Sequence, residues 1–242
     1  MDYLSFQADF IRIFEKNGLE SYVNEDTVHK FHELTRRMVE TNKVMNITAL
    51  TTEDKIIPLH YADCVKAAAF IPQNATVADI GCGGGFPILP LAIVRPDLKL
   101  VGIDSTEKKI RYVQSTADAL ELSVTAISGR AEDLAKMSEY RECFDCVISR
   151  AVARLNVLDE LCLPFVKIGG KFIAMKGAAG SEELDEARRG IARLGGGEIE
   201  SVEYPLHLAE AEEKRNMITI KKVSTTPIEF PRGFGAIKKK PL

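Results

Sequence analysis

From Thr76 onward, short apolar runs alternate with segments of helical length, and this alternation restricts the chain more than any other feature. The runs are Thr76–Ile80, Lys99–Ile103, Ser123–Ile127, Phe144–Ser149 and Lys171–Met175. Strands joined by helices bury both faces of a sheet, so the pattern predicts a doubly wound α/β fold with a mostly parallel sheet. A helix over Glu182–Leu194, stopped by Gly195-Gly196-Gly197, precedes two last runs, Glu198–Tyr204 and Met217–Val223. These are expected to pair antiparallel at one edge.

The region before Thr76 reads differently. Phe6, Phe10, Ile13 and Phe14 recur at helical spacing and Gly18 offers a stop; from Glu25 a second face carries Val28, Phe31, Thr35, Met38 and Met45. A third helical stretch is expected over Ile56–Phe70, broken early by Pro58. The chain therefore divides into a helical extension (1–72), an α/β domain (73–223) and a basic tail (224–242) in which no apolar period is visible. With 242 residues, 45% hydrophobic and 28% charged, the chain has room for a real core, and disorder and fibre are excluded. A net charge of −3 means that any polyanion must be held by a local basic patch. No apolar run reaches membrane-spanning length, and the start Met1-Asp2-Tyr3 lacks the features of a signal peptide. Five cysteines form no disulfide framework. A cytoplasmic protein without a membrane partner is the expectation.

Asp79-Ile80-Gly81-Cys82-Gly83-Gly84-Gly85-Phe86 follows the first strand and opens a helix that Pro87 is suited to start. Gly81, Gly83 and Gly85 let a ligand lie against the main chain. Asp104 ends the second strand about 20 residues later, where such folds place the carboxylate that receives a ribose diol. An adenosine is expected, carried either by a nicotinamide dinucleotide or by S-adenosylmethionine. A diphosphate wants free backbone amides, whereas carboxylates at two strand ends, Asp79 and Asp104, favour a cationic, phosphate-free ligand. After the third strand, Gly129-Arg130-Ala131-Glu132-Asp133 either receives the adenine, with space at Ala131, or is a helix start favoured by its acids.

Together with this loop, Asn46-Ile47-Thr48, His60-Tyr61-Ala62-Asp63, Lys108-Lys109, Ser149-Arg150-Ala151-Val152-Ala153 and Lys176-Gly177 make the chain resemble the bacterial 16S ribosomal RNA guanine-N7 methyltransferases, the glucose-inhibited division protein B family. The resemblance runs from about Asn46 to the C-terminus. It implies a seven-stranded, Rossmann-like methyltransferase sheet with an N-terminal helical extension, S-adenosylmethionine as cofactor, and methylation of one guanine in 16S rRNA, either naked or in a small-subunit particle. Gly81, Phe86, Ala131, Glu132 and Arg150 are the cofactor-lining positions it implies. Two departures stand out. Ile88 replaces a glycine common after Gly-Phe-Pro, and Ile237 replaces the second proline of a Pro-Arg-x-x-Gly-x-Pro tail.

Guanine N7 carries an unprotonated lone pair, so its methylation requires no general base. Alignment alone can supply up to roughly 7–11 kcal/mol. Ser149-Arg150-Ala151-Val152 is unlike the Pro-Pro-aromatic turn of exocyclic-amine methyltransferases, and Cys162 reads as core rather than a nucleophile. Cys143-x-x-Cys146 and His29-x-x-His32 lack further ligands; no metal site is expected, and the histidines read as a solvated face. Arg150 and Lys176 are the candidate catalytic residues, with Arg150 otherwise serving as an ion-pair partner of Asp79 or Glu132. Arg215, Arg232, Lys238, Lys239 and Lys240 are candidate RNA contacts, the last four alternatively a solubilising end. A nicotinamide-dependent oxidoreductase and a non-catalytic RNA-binding assembly factor remain alternatives, and a monomer is expected.

Overall fold

Asp2 starts the first helix. Its carboxylate accepts from the Ser5 amide at 3.0 Å, satisfying one of the donors a helix leaves open at its N-terminus. The computed structural model describes residues 2–50 and 52–242; Met1, at the head of the expected extension, and Thr51 lie outside the described residues. Helix α1 (Tyr3–Lys16) buries Phe6, Phe10, Ile13 and Phe14. Helix α2 (Glu25–Asn42) opens with a capping box between Asn24 and Thr27 and buries Val28, Phe31, Leu34, Thr35 and Met38. The two helices meet through Phe10 and Phe31, whose ring centroids are 5.0 Å apart. Met45 lies beyond α2, because Asn42 turns the chain: its Oδ1 accepts from the Ile47 and Thr48 amides.

Pro58 does not break the third helical stretch. The chain runs from α3 (Glu53–Ile56) through a π-helical turn (Ile57–Ala62) into α4 (Asp63–Lys66) and a 3-10 turn (Ala67–Phe70). Pro58 is the second residue of the π segment. The wider turn places His60, Tyr61 and Asp63 in the interior.

Seven strands form one sheet: β1 (Thr76–Ile80), β2 (Lys99–Asp104), β3 (Val124–Ser128), β4 (Phe144–Arg150), β5 (Val166–Gly177), β6 (Gly196–His207) and β7 (Glu212–Lys222). Their spatial order is β3-β2-β1-β4-β5-β7-β6. The first five are parallel, and β7 runs antiparallel between β5 and the outermost β6. The registers Ile80↔Ile103 and Asp104↔Ser128 align the C-terminal ends of β1, β2 and β3 on one edge of the sheet. Helices α5 (Ile88–Val94), α6 (Glu107–Ala119), α7 (Ala131–Leu134), α8 (Leu155–Cys162) and α9 (Gly180–Arg193) follow successive strands. One core lies between the N-terminal helices, α5, α6 and the sheet, and a second lies beneath α8 and α9.

The tail packs down, contrary to its sequence appearance. Phe230 and Ile237 are fully buried, and a last helix, α10 (Phe234–Lys239), rests against α8. Arg141 donates to the carbonyls of Thr226, Pro227 and Phe230. Two apolar anchors seven residues apart fill gaps beside α8 without forming a helical stripe, so no periodicity announces them. No helix among the described residues is long and apolar enough to cross a membrane.

Candidate active site

The glycine loop bends away from β1 with positive φ at Gly81 (+76°), Gly83 (+54°) and Gly85 (+90°), a region disfavoured for other residues. A Cβ at Gly81 would stand 2.5 Å from Val152, so the close approach of these segments demands glycine; at Gly83 it would meet almost nothing, leaving open space above the main chain. The loop amides are largely used internally. Gly81 and Cys82 donate to the Ile103 carbonyl, Gly85 and Phe86 to that of Cys82, and Gly83 to Asp104 Oδ2 at 3.0 Å. A diphosphate would find few donors here, which argues against a dinucleotide.

Asp79 lies under the loop, 1% exposed, and neither of its carboxylate oxygens has a hydrogen-bond partner. Burial pushes its pKa up to about 7, and Asp104 pushes the same way, while the Ile88 amide and Arg150 oppose them. An orphaned buried acid beside a phosphate-unfriendly loop suits a cationic ligand. Asp104 accepts from the Thr106 amide through Oδ1 as well as from Gly83, fixing its carboxylate at the rim. Gly81, Asp104, Ala131 and Glu132 line one cavity of about 200 Å³. Asp79, Gly83, Gly85 and Phe86 are not among the residues that line it. Phe86 stacks on His60, with centroids 4.2 Å apart. Ile88 is fully buried over Gly102 of β2.

A second cavity, of about 450 Å³, opens on the other side of Val152, which borders both. Arg150, Lys176 and Arg215 reach it, together with Asp63 and Glu183. Arg150 is not paired with Asp79 or Glu132. It donates to the Leu59 carbonyl (2.9 Å), to Asp63 (3.2 Å) and to His60 Nδ1 (2.9 Å). Since a guanidinium only donates, His60 Nδ1 accepts and its proton resides on Nε2, which faces Thr48 Oγ1 at 2.7 Å. Burial, aided by Arg150, depresses the His60 pKa to about 3, so the ring stays neutral. Arg215 also reaches Asp63, at 3.3 Å, and Lys176 pairs with Glu183 at 2.8 Å and donates to the Ala153 carbonyl. Ala151, at φ +55°, holds the strained turn that projects Val152 between the cavities.

The remaining candidates lie in the tail. Arg232 grips the buried Glu160 through both Nε and Nη2, an ion pair that holds the tail against α8. Lys238, Lys239 and Lys240 are exposed at the end of α10. Elsewhere, His32 does not sit on a solvated face: its ring packs edge-on against Tyr3 and Phe6. Cys143 is exposed and Cys146 buried, and Cys162 is core.

The sequence model of the rRNA small subunit methyltransferase G family matches residues 27–208. The chain belongs to this family. The protein named ribosomal RNA small subunit methyltransferase G of Brevibacillus brevis is 44% identical over 239 residues, covering 98% of this chain and 99% of that one. Its namesake from Staphylococcus carnosus is 43% identical, covering 91% and 92%. Among solved structures, Pyrococcus horikoshii TYW2 in complex with MeSAdo aligns with a TM-score of 0.52 at 15% identity, over 65% of this chain and 61% of that one. A Thermotoga maritima SAM-dependent O-methyltransferase aligns at 0.50 and 16%, over 78% and 72%. Both likenesses concern the fold, a Rossmann-like methyltransferase sheet.

Asp63 and His60 are the functional candidates to which no role was assigned from sequence. A signal existed: the two stand three residues apart, on one helical face, within an otherwise apolar stretch.

Proposed function

We propose that the chain methylates N7 of one guanine in 16S ribosomal RNA, with S-adenosylmethionine as donor. The observation that carries this reading is the pairing of two cavities across Val152, one rimmed by Asp104 and Glu132 above the orphaned Asp79, the other rich in cations. When bound, S-adenosylmethionine supplies an electrophilic methyl that an N7 lone pair takes in line, the bonding pair staying on sulfur, so no proton moves.

Asp104 faces the first cavity as a fixed acceptor for ribose hydroxyls, and Ala131 leaves room for a purine beside Glu132. Asp79, Gly83, Gly85 and Phe86 hold the loop in the shape that admits a cofactor, with Asp79 contributing negative potential beneath a positive ligand. In the second cavity every carboxylate is engaged: Asp63 by Arg150 and Arg215, Glu183 by Lys176. None is poised as a base, which suits N7 and disfavours an exocyclic amine. Arg150, Lys176 and Arg215 present a cationic wall to the target nucleotide, favouring its phosphate and O6. Lys238, Lys239 and Lys240 extend positive charge outward, whereas Arg232 serves first to hold the tail.

Purified protein, tritiated S-adenosylmethionine and small-subunit RNA or particles from a strain lacking the gene provide the test. Label recovered as 7-methylguanosine at one site is expected. Label in another nucleoside, or none in either substrate, overturns the reading.

A further inference from the structure

The tail brings one aromatic residue to the cofactor cavity. Phe234, the first residue of α10, lines it together with Asp104, Ala131, Glu132 and Leu161. Phe234 stays 37% exposed and its ring stacks on no other ring among the described residues, while Phe230, four positions earlier, is buried. The chain on both sides of Phe234 is pinned: Arg232 to Glu160 before it, and Ile237 in the core beneath α8 after it. A large apolar side chain at a cavity rim, with no aromatic partner among the described residues, fits a flat ligand.

We propose that Phe234 is the outer wall of the cofactor cavity and packs against the adenine, so that the C-terminal segment, outside the seven-stranded sheet, is part of the binding site. This rests on the S-adenosylmethionine reading above. On that reading Asp104 receives the ribose and Ala131 and Glu132 receive the adenine, and Phe234 lines the same cavity as all three.

The test uses the full chain. S-Adenosylhomocysteine and 5′-methylthioadenosine, which lacks the amino-acid end, are titrated by calorimetry into wild type and Phe234→Ala. An aromatic contact of this kind predicts an affinity loss of about 3- to 10-fold, equal for both ligands. Because the chain contains no tryptophan, Phe234→Trp installs a single tryptophan at the cavity, excited apart from the six tyrosines, and Ile228→Trp, on an exposed tail position, serves as control. S-Adenosylhomocysteine is expected to change the emission of Phe234→Trp and leave that of Ile228→Trp unaltered. Wild-type binding together with unchanged affinity in Phe234→Ala, or with silent Phe234→Trp emission, overturns the proposal while sparing the cofactor reading. Absence of wild-type binding to either ligand overturns both.

Discussion

Replacing Asp79 by asparagine should stabilise the free protein while weakening cofactor binding. Burial raises the pKa of Asp79 from the ordinary 3.8 to about 7. Its folded form therefore holds a proton more tightly than its unfolded form. The sign follows: well below pH 3.8 the group is neutral in both states and costs nothing electrostatic. As pH rises toward 7 the unfolded chain loses its proton first, and stability declines; above the folded pKa the loss is complete. A rise of this size corresponds to roughly 4 kcal/mol at pH 8, of which about 2.5 kcal/mol accrues between pH 5 and pH 8. Asparagine imitates the protonated form, so Asp79→Asn should match wild type in acid and exceed it increasingly as pH rises. Asp159, pushed up to about 7 by burial, has the same pH profile but is present in both proteins and cancels in the difference. Urea denaturation of both proteins across pH 5–8, without ligand, reads the difference directly. Calorimetry with S-adenosylhomocysteine reads the opposite effect on binding. A stability difference that does not vary with pH would refute the reasoning, as would undiminished ligand affinity in the variant.

Other substitutions probe separate parts of the structure. Gly83→Leu should fold, losing about 1 kcal/mol to its positive φ, because its Cβ meets open space, yet lose stabilisation by S-adenosylhomocysteine in a thermal-shift assay. Arg150→Ala leaves the buried Asp63 with Arg215 alone and should lower unfolding free energy by about 3 kcal/mol, measured in urea, alongside a loss of turnover. Of the five cysteines only Cys143 is exposed, so native protein should take up one equivalent of a thiol reagent by mass spectrometry, and denatured protein five.

The centre of the sheet was legible because β1 and β4 are buried on both faces and read as apolar runs, as in Val77–Ile80 and Val147–Ile148. Its far edge was less so. Strand β6 extends beyond the expected Glu198–Tyr204 to Gly196 and His207, and its exposed residues Glu198, Glu200, Ser201 and Glu203 carry little apolar signal. Pro58 suggested a break because proline interrupts an α-helix, but a π turn accommodates it. In the site, the glycine loop and Asp104 announced themselves through local spacing. The partner of Arg150 did not, since Asp63 is 87 residues away in sequence and the pair exists only after β4 meets α4. The tail's anchoring through Glu160 and Arg232 is hidden for the same reason: opposite charges in sequence do not say which acid is buried.

Nucleoside mass spectrometry of 16S rRNA from cells with and without the gene tests the central claim most directly. One 7-methylguanosine should be present in the parent, missing in the deletion strain and restored by the wild-type gene. An rRNA nucleoside profile unaltered by the deletion would contradict it.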